Sequence, residues 1–276
     1  QPVESGATLD NTPVLRLEGI SFVYEDGYEA LHALSLSIHR GERIALIGHN
    51  GAGKSTLFLL LSGLQQSWRG ELYLHGEIIT PQERVALRRR VALVLQNSNY
   101  QLFTPSVEDE LSFGLKNMGL EGEALHLRLE ELLTEYQLLD LRHKAPHELS
   151  EGQKKWVALA AVLATDPEII ILDEPTNYLD IEARSWLELW LKKYTGGFLL
   201  VSHDRSFLDA TVNETYELFN GTLKRYAGTY TNYEKTREVE LASLIKAYAQ
   251  QQLEIAKTED FIRKFRYKAT KAAAVQ

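Results

Sequence analysis

The run Gly48-His49-Asn50-Gly51-Ala52-Gly53-Lys54-Ser55 constrains this chain more than any other feature. It fits the pattern G-x-x-x-x-G-K-[ST]. It follows the short apolar stretch Arg43–Ile47 and precedes Leu57-Phe58-Leu59-Leu60-Leu61, so it reads as a loop between a buried strand and a buried helix. Glycines let consecutive backbone N–H groups wrap an anion, and the following helix N-terminus adds a favourable dipole. Gly48, Asn50, Gly51, Ala52, Gly53 and Thr56 are therefore candidate phosphate contacts. Lys54 would place a point charge at the β- and γ-phosphates, and Ser55 a hydroxyl on Mg²⁺. The competing reading of the loop by itself is a glycine-rich turn.

Further along, Ile169-Ile170-Ile171-Leu172 is a second buried strand that runs into Asp173 and Glu174. Open α/β sheets place their sites at the carboxyl ends of parallel strands. Asp173 is then a candidate Mg²⁺ partner, and Glu174 is expected to orient and polarise an attacking water. His203 follows the strand Phe198–Ser202 and could reach a γ-phosphate, though a lone histidine is as readily structural. Gln96 ends a strand at Val91–Leu95, and its amide oxygen is a candidate ligand for Mg²⁺ or water.

Other segments sort by period. Val14–Leu17, Ser21–Tyr24 and Leu34–Ile38 have strand character. Glu108–Leu120, Glu123–Leu139 and Gln153–Ala164 repeat at helical spacing and read as a helical insertion. Ile181–Tyr194 is a helix between two strands, and Asn220-Gly221 marks a hairpin between Glu214–Phe219 and Thr222–Tyr226. From Tyr233 onward glycine and proline vanish. Leu241, Ile245, Tyr248, Ile255 and Ile262 then form a coiled-coil-like seam interrupted by Gln252 and Glu259.

The chain has no cysteine, which excludes disulfides and thiolate chemistry. With 44% apolar and 25% charged residues it has the balance of a globular protein, and no apolar run approaches the ~20 residues of a membrane span. The polar start, residues 1–13, is expected to be disordered and does not resemble a signal peptide. The net charge of −8 is uneven: seven basic residues against three acids make residues 246–276 +4, leaving −12 for the rest.

These pieces, in this order, resemble the ATP-binding cassette (ABC) ATPases over about Val14 to Tyr226. Leu149-Ser150-Glu151-Gly152-Gln153 is similar to the family's signature loop, with Glu151 where glycine is more usual. The resemblance implies an α/β P-loop NTPase fold with a RecA-like parallel-sheet core, an antiparallel β lobe and a helical subdomain at about 103–165. The cassette would span residues 14–228, and 229–276 would form a basic helical extension. It implies Mg²⁺ and ATP as cofactors, and hydrolysis in a head-to-tail dimer with a second cassette. In such a dimer Lys54, Gln96, Glu174 and His203 act on the nucleotide and Tyr24 stacks on adenine. Ser55, Gln96 and Asp173 serve the metal, while Ser150, Gly152 and Gln153 meet the partner's ATP.

The two halves resemble different branches of the family. VALVLQNSNYQLFTPSVEDELSFGLKNMGL, starting at Val91, and Gln153-Lys154-Lys155 are similar to ATPase subunits of cobalt-type and energy-coupling-factor importers; Trp156 replaces the basic residue usual there. LDEPTNYLD, LLVSHDRSFLD and EIAKTEDFIRKFRYKATKA resemble ABC-F proteins, which act on ribosomes. The first branch implies membrane transporter subunits as partners, at the cytoplasmic face of the plasma membrane. The second implies ribosome or RNA contact through the basic helix, weakened by salt. A solvated amphipathic helix and a dimerisation coiled coil are further readings of the same segment.

Overall fold

The computed structural model describes residues 12–273, with side chains through Arg263. The expectation of disorder for residues 1–13 falls almost wholly outside this range. In chain order the strands are β1 (Leu15–Val23), β2 (Glu29–Ile38), β3 (Arg43–Ile47), β4 (Arg69–Leu74), β5 (Glu77–Ile78), β6 (Val91–Val94), β7 (Ile169–Asp173), β8 (Gly197–Val201), β9 (Glu214–Phe219) and β10 (Thr222–Ala227). The helices are α1 (Lys54–Leu61), α2 (Val107–Asn117), α3 (Gly122–Glu135), α4 (Glu151–Leu163), α5 (Ile181–Lys193), α6 (Arg205–Thr211) and α7 (Tyr230–Ala273).

One sheet runs β10-β9-β3-β8-β7-β6, parallel except for the β9–β10 hairpin, and the other is an antiparallel lobe ordered β2-β1-β4-β5. The central strands are apolar throughout because both faces of their sheet are covered. Ile169 and Ile171 join the core shared with α1 and the antiparallel lobe. Ile170 and Leu172 join the core shared with α2, α3, α4 and α5. The same alternation divides Leu199 from Phe198 and Leu200, as the two-residue period of a strand requires.

The α/β architecture expected from the sequence, a parallel-sheet core with an antiparallel β lobe and a helical layer, is the architecture observed, with three differences in detail. The two strands expected at Val14–Leu17 and Ser21–Tyr24 are one, β1, irregular in register between Leu17 and Ile20. The helix expected over Glu123–Leu139 stops at Glu135. Gln137 takes a left-handed φ of 55°, and Leu138 N–H closes the end onto Leu133 O at 2.8 Å. Strands β4 and β5 and helix α6 had no counterpart in the sequence reading.

The chain divides into two units between Tyr230 and Thr231. The second is nearly all α7, along which Leu241, Ile245, Tyr248, Ile255 and Ile262 are exposed. Of the basic residues counted there, the side chains of Lys264, Arg266, Lys268 and Lys271 lie outside the described residues. Among the described residues no helix is long and apolar enough to cross a membrane.

Candidate active site

Because β3, β8, β7 and β6 are parallel and adjacent, the loops leaving them open at one edge of the sheet. There a cleft of about 850 Å³ gathers the Lys54 loop, Gln96, Asp173, Glu174 and His203. Four separate stretches of sequence thus meet at one place.

The loop after β3 is shaped by what its glycines permit. Gly53 has φ 104°, and a Cβ on it would stand 2.6 Å from Ala30 O. A side chain here would close the cradle and strain the backbone. Lys54 Nζ donates to the carbonyls of Gly48 and His49, the latter at 3.0 Å, which holds the ammonium over the loop. Burial pulls its pKa down, against the attraction of Asp173 and Glu174. Gly48, Asn50, Gly51, Gly53, Ser55 and Thr56 line the cleft, whereas Ala52 is buried behind it.

Tyr24 stands at the rim, its hydroxyl 2.7 Å from Thr56 Oγ1. Tyr28, which sequence reasoning missed, stacks beside it with ring centroids 6.4 Å apart and planes at 18°. Its hydroxyl donates to Gly51 O at 3.3 Å. The signal was its place in the turn between β1 and β2, where Tyr24 N–H bonds Tyr28 O at 2.9 Å.

Glu174 has a left-handed backbone, φ 47°, rare for a residue with a side chain. This turn aims a nearly buried carboxylate back toward β8. Its Oε2 accepts from His203 N–H at 3.2 Å. Its Oε1 is buried without a hydrogen-bond partner, although His203 Nε2 lies 3.3 Å away. Burial raises the Glu174 pKa, which makes the carboxylate a stronger base. Burial likewise raises Asp173, while Lys155 and Lys54 pull it down.

Lys155 is the other residue whose place sequence reasoning does not reveal. It is fully buried, and its Nζ donates to Leu95 O at 2.8 Å, Gln96 O at 3.2 Å and Asp173 O at 3.4 Å. Burial lowers its pKa to about 8.

Ser150, Gly152 and Gln153 are not in this cleft. They line a second one of about 520 Å³, with Trp156, Tyr178 and Trp186. Ser150 caps α4: its Oγ accepts from Gln153 N–H at 3.2 Å, and Gln153 Oε1 accepts from Ser150 N–H at 3.0 Å. Trp156 packs edge-on against Trp186, centroids 4.8 Å apart, and its Nε1 donates to Tyr136 O at 2.8 Å. The indole therefore fills an aromatic cluster behind the cap.

The oxygen-rich set of Ser55, Gln96 and Asp173, with Glu174 Oε1 nearby accepting no hydrogen bond among the described residues, fits a hard cation such as Mg²⁺. Among the described residues no three His, Cys, Asp or Glu side chains converge into a metal cage.

Residues 31–177 match a family model described as ABC transporter, and residues 216–276 match a second of the same description, for a C-terminal extension. The chain is 39% identical over 217 residues to the energy-coupling factor transporter ATP-binding protein EcfA of Methanothermobacter thermautotrophicus, spanning 76% of this chain and 69% of that one. It is 42% identical over 166 residues to EcfA of Carboxydothermus hydrogenoformans, spanning 60% and 62%. Among solved structures, cbiO1 of Clostridium perfringens, described as part of the ABC transporter complex cbiONQ, superposes with a TM-score of 0.69. It is 30% identical, over 86% of this chain and 95% of that one.

Proposed function

The chain belongs to the ABC transporter family and is an ABC ATPase, and from that premise we propose that it is the ATP-hydrolysing subunit of an energy-coupling-factor-type importer. The carrying observation is the single cleft shared by the Lys54 loop, Gln96, Asp173, Glu174 and His203. ATP would lie with its phosphates on the loop after β3 and its base against the Tyr24–Tyr28 stack. The N–H groups at the start of α1 and the Lys54 ammonium take up phosphate charge.

Glu174 Oε1 would orient the attacking water in line with the γ-phosphate and accept its proton as the new P–O bond forms and the bond to the β-phosphate oxygen breaks, releasing ADP and phosphate. Oε2 is meanwhile fixed by the His203 amide. His203 Nε2, beside the same carboxylate, can donate to a γ-phosphate oxygen. Mg²⁺, held by Ser55, Gln96 and Asp173, would supply neutralisation of the β- and γ-phosphate charge.

Since Ser150 and Gly152 open a separate cleft, two cassettes set head to tail would complete each other's sites, each offering the start of α4 to its partner's nucleotide. Membrane subunits would dock on the surface after Gln96, where Tyr100, Phe103 and Phe113 are exposed and Phe103 meets Phe113 edge-on at 5.0 Å. The work would be done at the cytoplasmic face of the membrane.

Purified chain should release phosphate from ATP only with Mg²⁺, and Glu174→Gln should bind ATP yet turn over at least about a hundredfold more slowly. Undiminished turnover in that variant would remove Glu174 from the role given to it. Co-purification with energy-coupling membrane subunits tests the importer reading. The resemblance of LDEPTNYLD and LLVSHDRSFLD to ABC-F proteins and the basic residues of α7 support a second reading, an ATP-timed factor on ribosomes. Pelleting with ribosomes in ATP, together with no membrane partner, would favour that one.

A further inference from the structure

A fully buried lysine is rarely neutral to stability. An ammonium taken out of water must have its protons bonded, and a Met or Leu of similar volume fills the same space without that cost. Lys155 meets the requirement in an unusual way. Its partners are three main-chain carbonyls, from Leu95, Gln96 and Asp173, and no carboxylate hydrogen-bonds to it. Those carbonyls belong to the ends of β6 and β7, the two segments that carry the Gln96 and Asp173 side chains into the cleft. The lysine itself rides on α4, two residues past Gln153 and one turn beyond the Ser150 cap. One ammonium therefore pins the helix bearing one cleft to the strand ends bearing the other.

We propose that Lys155 is a positioning residue that couples the start of α4 to Gln96 and Asp173, so that engagement of Ser150 and Gly152 sets the two side chains for hydrolysis. The coupling rests on the reading of the larger cleft as an ATP-hydrolysing site. Nothing in it requires Lys155 to touch nucleotide. Its loss should act on turnover and on the local mobility of two strand ends, and leave nucleotide capture alone.

Lys155→Met in the full chain, with Leu163→Ala as a destabilised control from the buried face of the same helix, separates positioning from packing. Lys155→Met is expected to lower kcat about tenfold or more while KM for ATP moves less than about threefold. In the nucleotide-free protein, amides at 95–97 and 174 should exchange about tenfold faster than in wild type. Leu163→Ala should lower Tm without the kcat loss or the local exchange change. Lys155→Gln, which keeps a donor, should fall between Met and wild type, and it decides the matter if the Met variant does not fold. Equal kcat and exchange in Lys155→Met and wild type, or the same pattern in Leu163→Ala, would overturn the inference alone. Wild-type protein that releases no phosphate would overturn the ATPase reading and the inference with it.

Discussion

A Cβ on Gly152 would stand 2.6 Å from the carbonyl oxygen of Tyr178, so the first turn of α4 and the loop after Glu174 meet at a point where only glycine fits. Tyr178 is itself left-handed, φ 68°, which presents that carbonyl to the helix. Gly152→Ala must push the two segments apart, because the obstacle is main chain and cannot rotate away. Stability is expected to fall by about 1–3 kcal/mol. Phosphate release should fall about tenfold or more if the start of α4 completes a partner's site as proposed, since a small displacement of a group that positions substrate is costly. Thermal unfolding and a phosphate-release assay read the two effects. An alanine variant with wild-type turnover would show that this contact does not bear on activity.

Tyr28→Ala removes half of the stacked pair at the cleft rim and the bond to Gly51 O. A ring stack is worth about 0.5–1.5 kcal/mol beyond its buried area. KM for ATP should therefore rise roughly two- to tenfold while kcat holds, and Tyr28→Trp should recover most of the loss. A change in kcat at constant KM would instead place Tyr28 in loop geometry.

Lys54→Ala takes away the ammonium that the Gly48 and His49 carbonyls hold over the loop after β3. Hydrogen bonds to a charged group contribute about 1.5–3 kcal/mol. Calorimetry should show ATP affinity lowered about ten- to a hundredfold. Unchanged affinity would contradict the assignment of this loop to phosphate.

The elements legible in the sequence were those whose signals are local. β3, β7 and β8 are short apolar runs that end in polar site residues, and a buried parallel strand has no other way to look. The Asn220-Gly221 hairpin likewise carries its own turn chemistry. β4 was not legible: Arg69–Leu74 begins Arg-Gly-Glu, and its pairing partner, β1, lies some fifty residues earlier, with Leu15 opposite Leu74. α6 is a seven-residue helix held by the Asp204 cap, too short to show a period. Within the cleft, residues on a recognisable loop could be read, whereas Tyr28 and Lys155 act through partners 23 and about 60 positions away. A lysine on an amphipathic helix reads as solvent-facing until the fold brings carbonyls onto it.

Acid should loosen the helical layer through Arg142. Its Nε and Nη2 each donate to Glu108 at 2.7 Å, and Nη1 reaches Glu130, so α2 and α3 are tied through one guanidinium. These bonds, more than charge alone, hold the Glu108 carboxyl below its usual pKa, and His143 Nδ1 lies 3.7 Å away. A depressed carboxylate stabilises the fold fully above its unfolded value of about 4.3 and loses that contribution as pH falls through the folded value. Trp156, Trp186 and Trp190 lie in the helical layer and report on it by fluorescence. Wild type should lose stability between about pH 5 and 3. Arg142→Gln should be less stable by roughly 1 kcal/mol at pH 7, given the partial exposure of the pair, and should show a shallower acid slope. Parallel slopes in the two proteins would mean that another group, not Glu108, carries the acid sensitivity.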